Sequence, residues 1–259
     1  MHQPSTIRPR PSAFSLVELS IVLVILGLLV GGILSGQALI RAAELRAAIK
    51  QFEGFTAASL QFRDKYMNLP ADGCNNKNFG MGFRWCDDSG GNNNGLVEER
   101  YWPRADSRQI NGDEFLLFWN DLTLKGFISE GIDSSLTYTS WWCFGPACQP
   151  RSKLDGNLIA ITEKNATNYY YIGNNTTTSW INAQRTLTPM QLYQWDTKID
   201  DGAPSAGRVM TVLAPGPWNS LGADVPGATA CTTSSTTYNT VSPYGDTKLC
   251  AAIIHMGIN

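Results

Sequence analysis

The chain has 259 residues, 20 Lys and Arg against 22 Asp and Glu, a net charge of −2 and 10% aromatic residues. That length allows one or two domains with a sizeable core, and the aromatic content excludes a disordered chain. With no basic excess to neutralise phosphates, no nucleic-acid partner is expected.

Residues 1–13, MHQPSTIRPRPSA, hold Arg8, Arg10, several prolines and no acid. This is a short basic leader that does not favour a helix. From Phe14 the chain turns apolar, and residues 19–40 carry no charge. As a helix this uncharged stretch spans ~33 Å, close to the thickness of a bilayer core. The basic leader stays in the cytoplasm and the C-terminal part crosses. An ordinary secretory signal is cut after its apolar run, and Ser35-Gly36-Gln37-Ala38 imitates such a site. Glu18 argues against that reading. A carboxylate in an apolar helix costs roughly 2.5–3.5 kcal/mol near the membrane centre and less at its edge, so it needs a partner and marks a function by default.

The segment Ala13-Phe14-Ser15-Leu16-Val17-Glu18-Leu19 resembles the class III signal of type IV prepilins and type II secretion pseudopilins. The resemblance implies a prepilin peptidase that cuts between Ala13 and Phe14 and methylates the new amine of Phe14. Ala13 replaces the commoner Gly, and Ser15 the commoner Thr. Glu18 falls at the family's acidic fifth position, which serves assembly. Also implied are an inner-membrane pool of subunits, an inner-membrane assembly platform and a homo-oligomeric helical filament. In the apolar core of such a filament, Glu18 of one subunit can pair with the Phe14 amine of the next. A lone buried charge is expensive, whereas a paired one is tolerable and fixes register.

Gly27 and Gly31, and Gly32 and Gly36, form two GxxxG spacings. They suit close helix packing or local loss of helix, and glycine is also simply frequent in membrane helices. Many type IVa pilins carry Pro at the twenty-second mature position. Here Ser35 stands there, so any melting rests on glycine. Beyond Arg41, the recurrence of Leu45, Ile49, Phe52, Thr56, Leu60 and Tyr66 predicts an amphipathic continuation. Leu69-Pro70 ends it. The expected division is a leader at 1–13, a helix at 14–66 and a globular head at 67–259. Within the helix, 14–40 is the transmembrane or filament-core part and 41–66 the amphipathic part.

In the head, 67–112 reads as loop. A helix is predicted over 113–125, with Phe115, Trp119 and Leu122 on its apolar face and Gly126 as its stop. Tyr66-Met67-Asn68-Leu69-Pro70-Ala71-Asp72 and Phe118-Trp119-Asn120-Asp121-Leu122 resemble two motifs of large-headed prepilins, with Ala71 where those have Gly. Strands are predicted over 136–143, 157–163, 168–172, 208–213 and 251–256. Thr188-Pro189-Met190-Gln191 is a capping box with Pro at N1. It opens a helix carrying Leu192, Trp195 and Ile199, closed by Asp200-Asp201-Gly202-Ala203-Pro204. Ile199 through Gly207 resembles a further motif of pilin-like heads, Ile-Asp-Asp-Gly-x-Pro-x-x-Gly. The expected class is α+β, a type IV pilin fold: a long N-terminal hydrophobic helix with an antiparallel β-sheet globular head.

Six cysteines, Cys74, Cys86, Cys143, Cys148, Cys231 and Cys250, all follow the apolar run. An even number in an exported part predicts disulfides. Zinc is disfavoured, since no Cys-x-x-Cys occurs and His2 and His255 stand far apart. Sequence proximity favours Cys74–Cys86, Cys143–Cys148 and Cys231–Cys250 but leaves other pairings open. The Thr- and Ser-rich stretch 222–250 resembles the disulfide-bounded C-terminal loop of many type IV pilins.

Calcium is the one cofactor weighed. Asp87, Asp88, Asn92, Asn94 and Glu98 offer oxygens in a Gly-rich loop, as do Asp200 and Asp201, although turn chemistry explains both sets. Trp141-Trp142 and Tyr169-Tyr170-Tyr171 can stack on sugars or fill a core, and strand alternation favours the core. His255 reads as structural. Asn165, Asn174 and Asn175 open glycosylation sequons, a common pattern.

No nucleophile elbow, metal-binding His pair or P-loop occurs, so an enzyme is not expected. The expected function is a structural subunit of a type IV pilus-like filament. The alternatives are a pseudopilin of a type II secretion system and a minor or tip pilin acting as an adhesin. The expected location is the bacterial inner membrane with a periplasmic head, then an extracellular pilus or a periplasmic pseudopilus.

Overall fold

Helix α1 (Leu16–Tyr66) forms because its sequence has helix-compatible residues throughout and no proline. The computed structural model describes residues 15–72, 93–97, 114–130, 149–173, 185–212 and 230–258. The predicted strand at 136–143 and the Trp141-Trp142 pair lie outside them. The chain forms two compact units, Met1–Ala43 and Glu44–Asn259.

In the first unit, α1 runs through Gly27, Gly31, Gly32 and Gly36 without a break. A Cβ at any of these glycines would meet nothing within 4 Å. Packing among the described residues therefore does not require them. The large apolar side chains from Leu16 to Ile40 are all at least 51% exposed. By length and composition this helix can cross a membrane.

In the second unit, α1 buries one stripe: Leu45, Ala48, Phe52, Phe55, Ala58, Ser59, Phe62 and Tyr66. Apart from Ala58, which widens the stripe, those positions alternate steps of three and four, which keeps a stripe centred on one face. The predicted stripe is corrected here. Ile49 and Leu60 are only partly buried at its margin, because repeated steps of four drift around the helix. Thr56 also sits at the margin, where its hydroxyl reaches Tyr170 and the Met256 carbonyl.

Helix α2 (Glu114–Leu124) buries Phe118, Trp119 and Leu122. Gly126 ends it as predicted. Its N–H donates to Thr123, and the Phe127 N–H donates to Leu122. These two bonds make a Schellman closure. Helix α3 (Pro189–Ile199) starts at the predicted capping box, with Thr188 and Gln191 bonded reciprocally.

Strands β1 (Leu158–Glu163), β2 (Asn168–Gly173), β3 (Val209–Val212) and β6 (Ala251–His255) form an antiparallel sheet in the order β1-β2-β6-β3. One face brings Ile159, Ile161, Tyr170, Ile172, Val209 and Ile254 into the helical core. The other face is buried as well, around Ala160, Tyr171 and Ile253. All three residues of the Tyr169–Tyr171 run are thus core. Aromatic rings knit the helical side: Phe52 meets Tyr170 at 5.2 Å and Trp195 at 5.1 Å, and Phe55 meets Trp119 at 4.9 Å. Such edge-on pairs add ~0.5–1.5 kcal/mol each beyond burial. The architecture is α+β, with a long N-terminal apolar helix followed by a globular region built on an antiparallel sheet.

Two short strands, β4 (Thr232–Ser234) and β5 (Thr237–Tyr238), form a hairpin that the sequence reading did not predict. Their Thr- and Ser-rich sequence is too short to show an alternating apolar pattern.

Candidate functional site

The first site is the start of α1. Ser15 is its N-cap: the Ser15 hydroxyl accepts the Val17 N–H at 3.3 Å, and the Glu18 carboxylate accepts the Ser15 N–H at 3.0 Å. The Glu18 bond is the return half of a capping box, while the Ser15 hydroxyl is met by the second helical N–H and not the third. The spacing Ser-x-x-Glu signals it directly, yet the sequence reading gave Glu18 an assembly role alone. The Glu18 carboxylate therefore reaches the peptide N–H one residue beyond Phe14. Ala13 and Phe14 themselves lie outside the described residues.

The cysteine expectation is met at one pair. Cys231 and Cys250 are disulfide-bonded, with Cα atoms 5.0 Å apart and a sequence separation of 19. A cross-link closing a loop of that size stabilises by about 3 kcal/mol in the chain-entropy account. Cys250 is also bonded through its backbone to Leu187, which donates to and accepts from it at 3.1 and 2.9 Å. The disulfide thus ties the β4–β5 hairpin to the start of β6 and the entry to α3. Cys74, Cys86, Cys143 and Cys148 lie outside the described residues.

Of the calcium candidates in the Gly-rich loop, Asp87, Asp88, Asn92 and Glu98 lie outside the described residues. The Asn94 side chain accepts the Leu96 N–H at 2.8 Å. Buried Asp72 accepts the N–H groups of Asn94 and Gly95 at 3.2 and 2.8 Å. These bonds fasten the 93–95 segment to the turn after α1. Ala71 in that turn has φ 69°. The position where related motifs carry Gly is therefore one that favours Gly.

The second acidic group gathers after α3. One carboxylate oxygen each from Asp196, Asp200 and Asp201 lies within 4.8 Å of the others. Each of these carboxylates takes hydrogen bonds from the chain. Asp196 is fully buried and accepts the Tyr238 hydroxyl at 2.7 Å and the Gly202 N–H at 3.2 Å. Burial pushes its carboxyl up to about 6, against the pull of those two bonds, and the neighbouring charges of Asp200 and Asp201 push the same way. Asp201 accepts the Ala203 N–H at 2.8 Å.

Asp200 accepts the Arg208 and Val209 N–H groups. The Pro204 carbonyl accepts both the N–H and the hydroxyl of Thr211. Among the described residues β3 is an edge strand, and these bonds occupy polar groups that an open edge would offer to another chain. The Ile199–Gly207 motif is therefore an edge cap.

Gly207 has φ 80°, and a Cβ there would run into the Asp200 carboxylate. Gly207→Ala is expected to cost roughly 2–3 kcal/mol, from backbone strain plus loss of the cap. Thermal unfolding of the purified full chain in detergent reads this as a fall of about 5–10 °C. An unchanged midpoint would remove the cap from the account.

His255 is structural in its contacts: its ring accepts the Gly257 N–H at 3.0 Å and lies edge-on to Tyr169. Among the described residues, four buried carboxylates carry no signal in the sequence: Asp72, Glu114, Asp121 and Asp196.

Residues 8–34 match the prokaryotic N-terminal methylation motif. This is the class III prepilin signal of type IV pilins and pseudopilins. The match supports a pilin-like or pseudopilin substrate, and it points to a structural protein. The matched residues include the end of the expected leader, Glu18 and the first part of the exposed apolar helix, which is consistent with membrane anchoring before assembly. No curated protein and no solved structure matches the chain.

Proposed function

We propose that the chain is a structural subunit of a type IV pilus-like filament. It divides into a leader at 1–13, a helix at 14–66 and a head at 67–259. The leader is removed between Ala13 and Phe14, and the Phe14 amine is methylated. Before assembly the helix sits in the bacterial inner membrane with the head in the periplasm. In the filament the helices of many copies pack together, and Glu18 of one copy pairs with the Phe14 amine of a neighbour.

The observation that carries this reading is a helix that is bare where it is most apolar, in a segment matching the methylation motif. So much exposed apolar surface has to be covered by lipid or by other helices. Glu18, the single acid in that stretch, fits a filament in which one charge pair sets the stagger.

Intact mass spectrometry on filaments sheared from the cell surface tests the reading. The expected species begins at Phe14, carries one added methyl group and dominates the preparation. A trace amount beside another dominant subunit would assign the chain to a minor pilin or a pseudopilin. A surface species beginning after Ala38 would overturn the reading.

A further inference from the structure

We propose that Asn165, at the tip of the β1–β2 hairpin, is an acceptor for an N-linked glycan. The tripeptide Asn165-Ala166-Thr167 has the acceptor pattern, with a hydroxyl two residues after the asparagine and no proline between. A pattern alone says little, and the geometry adds to it. Lys164 and Thr167 bond to each other through their backbones at 3.0 and 3.2 Å, leaving Asn165 and Ala166 as a two-residue loop. Both loop residues are left-handed, with φ 53° and 58°, as a type I′ turn requires.

The backbone of Asn165 serves the turn, and its side chain is exposed. Among the described residues its amide makes no hydrogen bond, so the fold does not depend on it. The Thr167 hydroxyl lies on the same turn, 3.5 Å from the Asn165 carbonyl. Glu163, two positions before Asn165, accepts the Ala166 N–H. It supplies a carboxylate that a cationic groove of a modifying enzyme can pair with.

The donor would be an oligosaccharide joined through a diphosphate to a polyprenyl lipid. A bond forms between Asn165 Nδ2 and the anomeric carbon of the first sugar. The bond from that carbon to the diphosphate oxygen breaks, and the lipid diphosphate leaves with the electron pair. Nδ2 gives one proton to a base of the transferase. A glycan at this tip buries no part of the sheet. This inference rests on the reading that the head crosses the membrane, where such a donor is used.

Glycopeptide mass spectrometry on the full chain, taken from the cell envelope of its own host, tests it. The peptide containing Asn165 is expected to carry a sugar on Asn165. The sugar is expected to vanish in Asn165→Gln and Thr167→Ala and to persist in Thr167→Ser. A bare Asn165 in all of the unaltered protein would overturn the inference, and so would a sugar on Thr167 that survives Asn165→Gln. The same spectra report the state of Phe14. A methylated Phe14 beside a bare Asn165 removes the glycan and leaves the filament reading standing. An unprocessed N-terminus removes the filament reading, while Asn165 still decides the glycan.

Discussion

Glu18→Gln is expected to leave the precursor in the membrane and cut before Phe14, while filament yield falls by on the order of a hundred- to a thousandfold. The estimate comes from the cost of leaving one partner of a buried ion pair alone, about 3–5 kcal/mol. Here the partner left alone is the Phe14 amine of the neighbouring subunit. Glutamine is the informative replacement because Glu18 has two jobs in this account. It accepts the Ser15 N–H at 3.0 Å within its own helix, and glutamine performs that capping role as well as glutamate. What glutamine lacks is the charge. Ser15→Ala makes the reverse change: it removes the hydroxyl that accepts the Val17 N–H, costs about 1 kcal/mol of helix end and keeps the carboxylate. Charge pairing predicts filaments from Ser15→Ala and none from Glu18→Gln. Capping alone predicts the opposite. Immunoblots of sheared filaments, read beside the ratio of precursor to mature chain, separate the two. Normal yield from Glu18→Gln would end the pairing hypothesis.

The elements legible in the sequence were those whose signals are local. The capping box at Thr188 and Gln191 spells out the start of α3, and Gly126 spells out the stop of α2. The four strands of the sheet were placed to within a residue or so, because β-branched and aromatic runs stood between turn residues. The predicted stripe of α1 lies slightly off the centre of the buried one. Several of its apolar residues lie in two adjacent rows, and the choice between rows depends on Tyr170, Trp119 and Trp195, which are distant in sequence.

The buried carboxylates were not legible for the same reason. Asp196 meets Tyr238 across 42 residues, Asp121 meets Ala71 across 50, and Asp72 meets Asn94 across 22. Nothing in the local sequence marks which Asp of a helix or turn faces inward. Of the candidate site, Glu18 was legible as an anomaly of charge, and its cap was legible from spacing. The pairing of Cys231 with Cys250 agreed with proximity, which is an expectation and not a mechanism.

Asp121→Asn is expected to change how stability depends on pH. Asp121 lies in α2 with only 8% of its surface exposed, and one carboxylate oxygen accepts the Ala71 N–H at 2.8 Å. Burial pushes its carboxyl up to about 7, against the Ala71 hydrogen bond and the charge of Lys125 one turn along, which both pull it down. The folded-state value lies above the unfolded one of 3.8. The protonated form is therefore favoured by folding. Its contribution is fully present below about pH 4 and is lost as pH rises through about 7. Across that window the loss is on the order of 2–4 kcal/mol. Asp196, pushed up to about 6, works in the same direction, so the wild-type slope belongs to both.

Asparagine keeps an oxygen for the Ala71 N–H and cannot ionise. Its amide nitrogen needs a partner, at a cost of about 1–3 kcal/mol that does not vary with pH. Asp121→Asn should therefore be less stable than wild type near pH 4.5. It should draw level with wild type or pass it near pH 8, with the remaining slope due to Asp196. Urea unfolding of the full chain in detergent at pH 4.5, 6 and 8 gives the comparison. A slope equal to that of wild type would mean that Asp121 stays ionised throughout. The bond that fixes the strained turn at Ala71 would then be one to a carboxylate and not to a neutral acid.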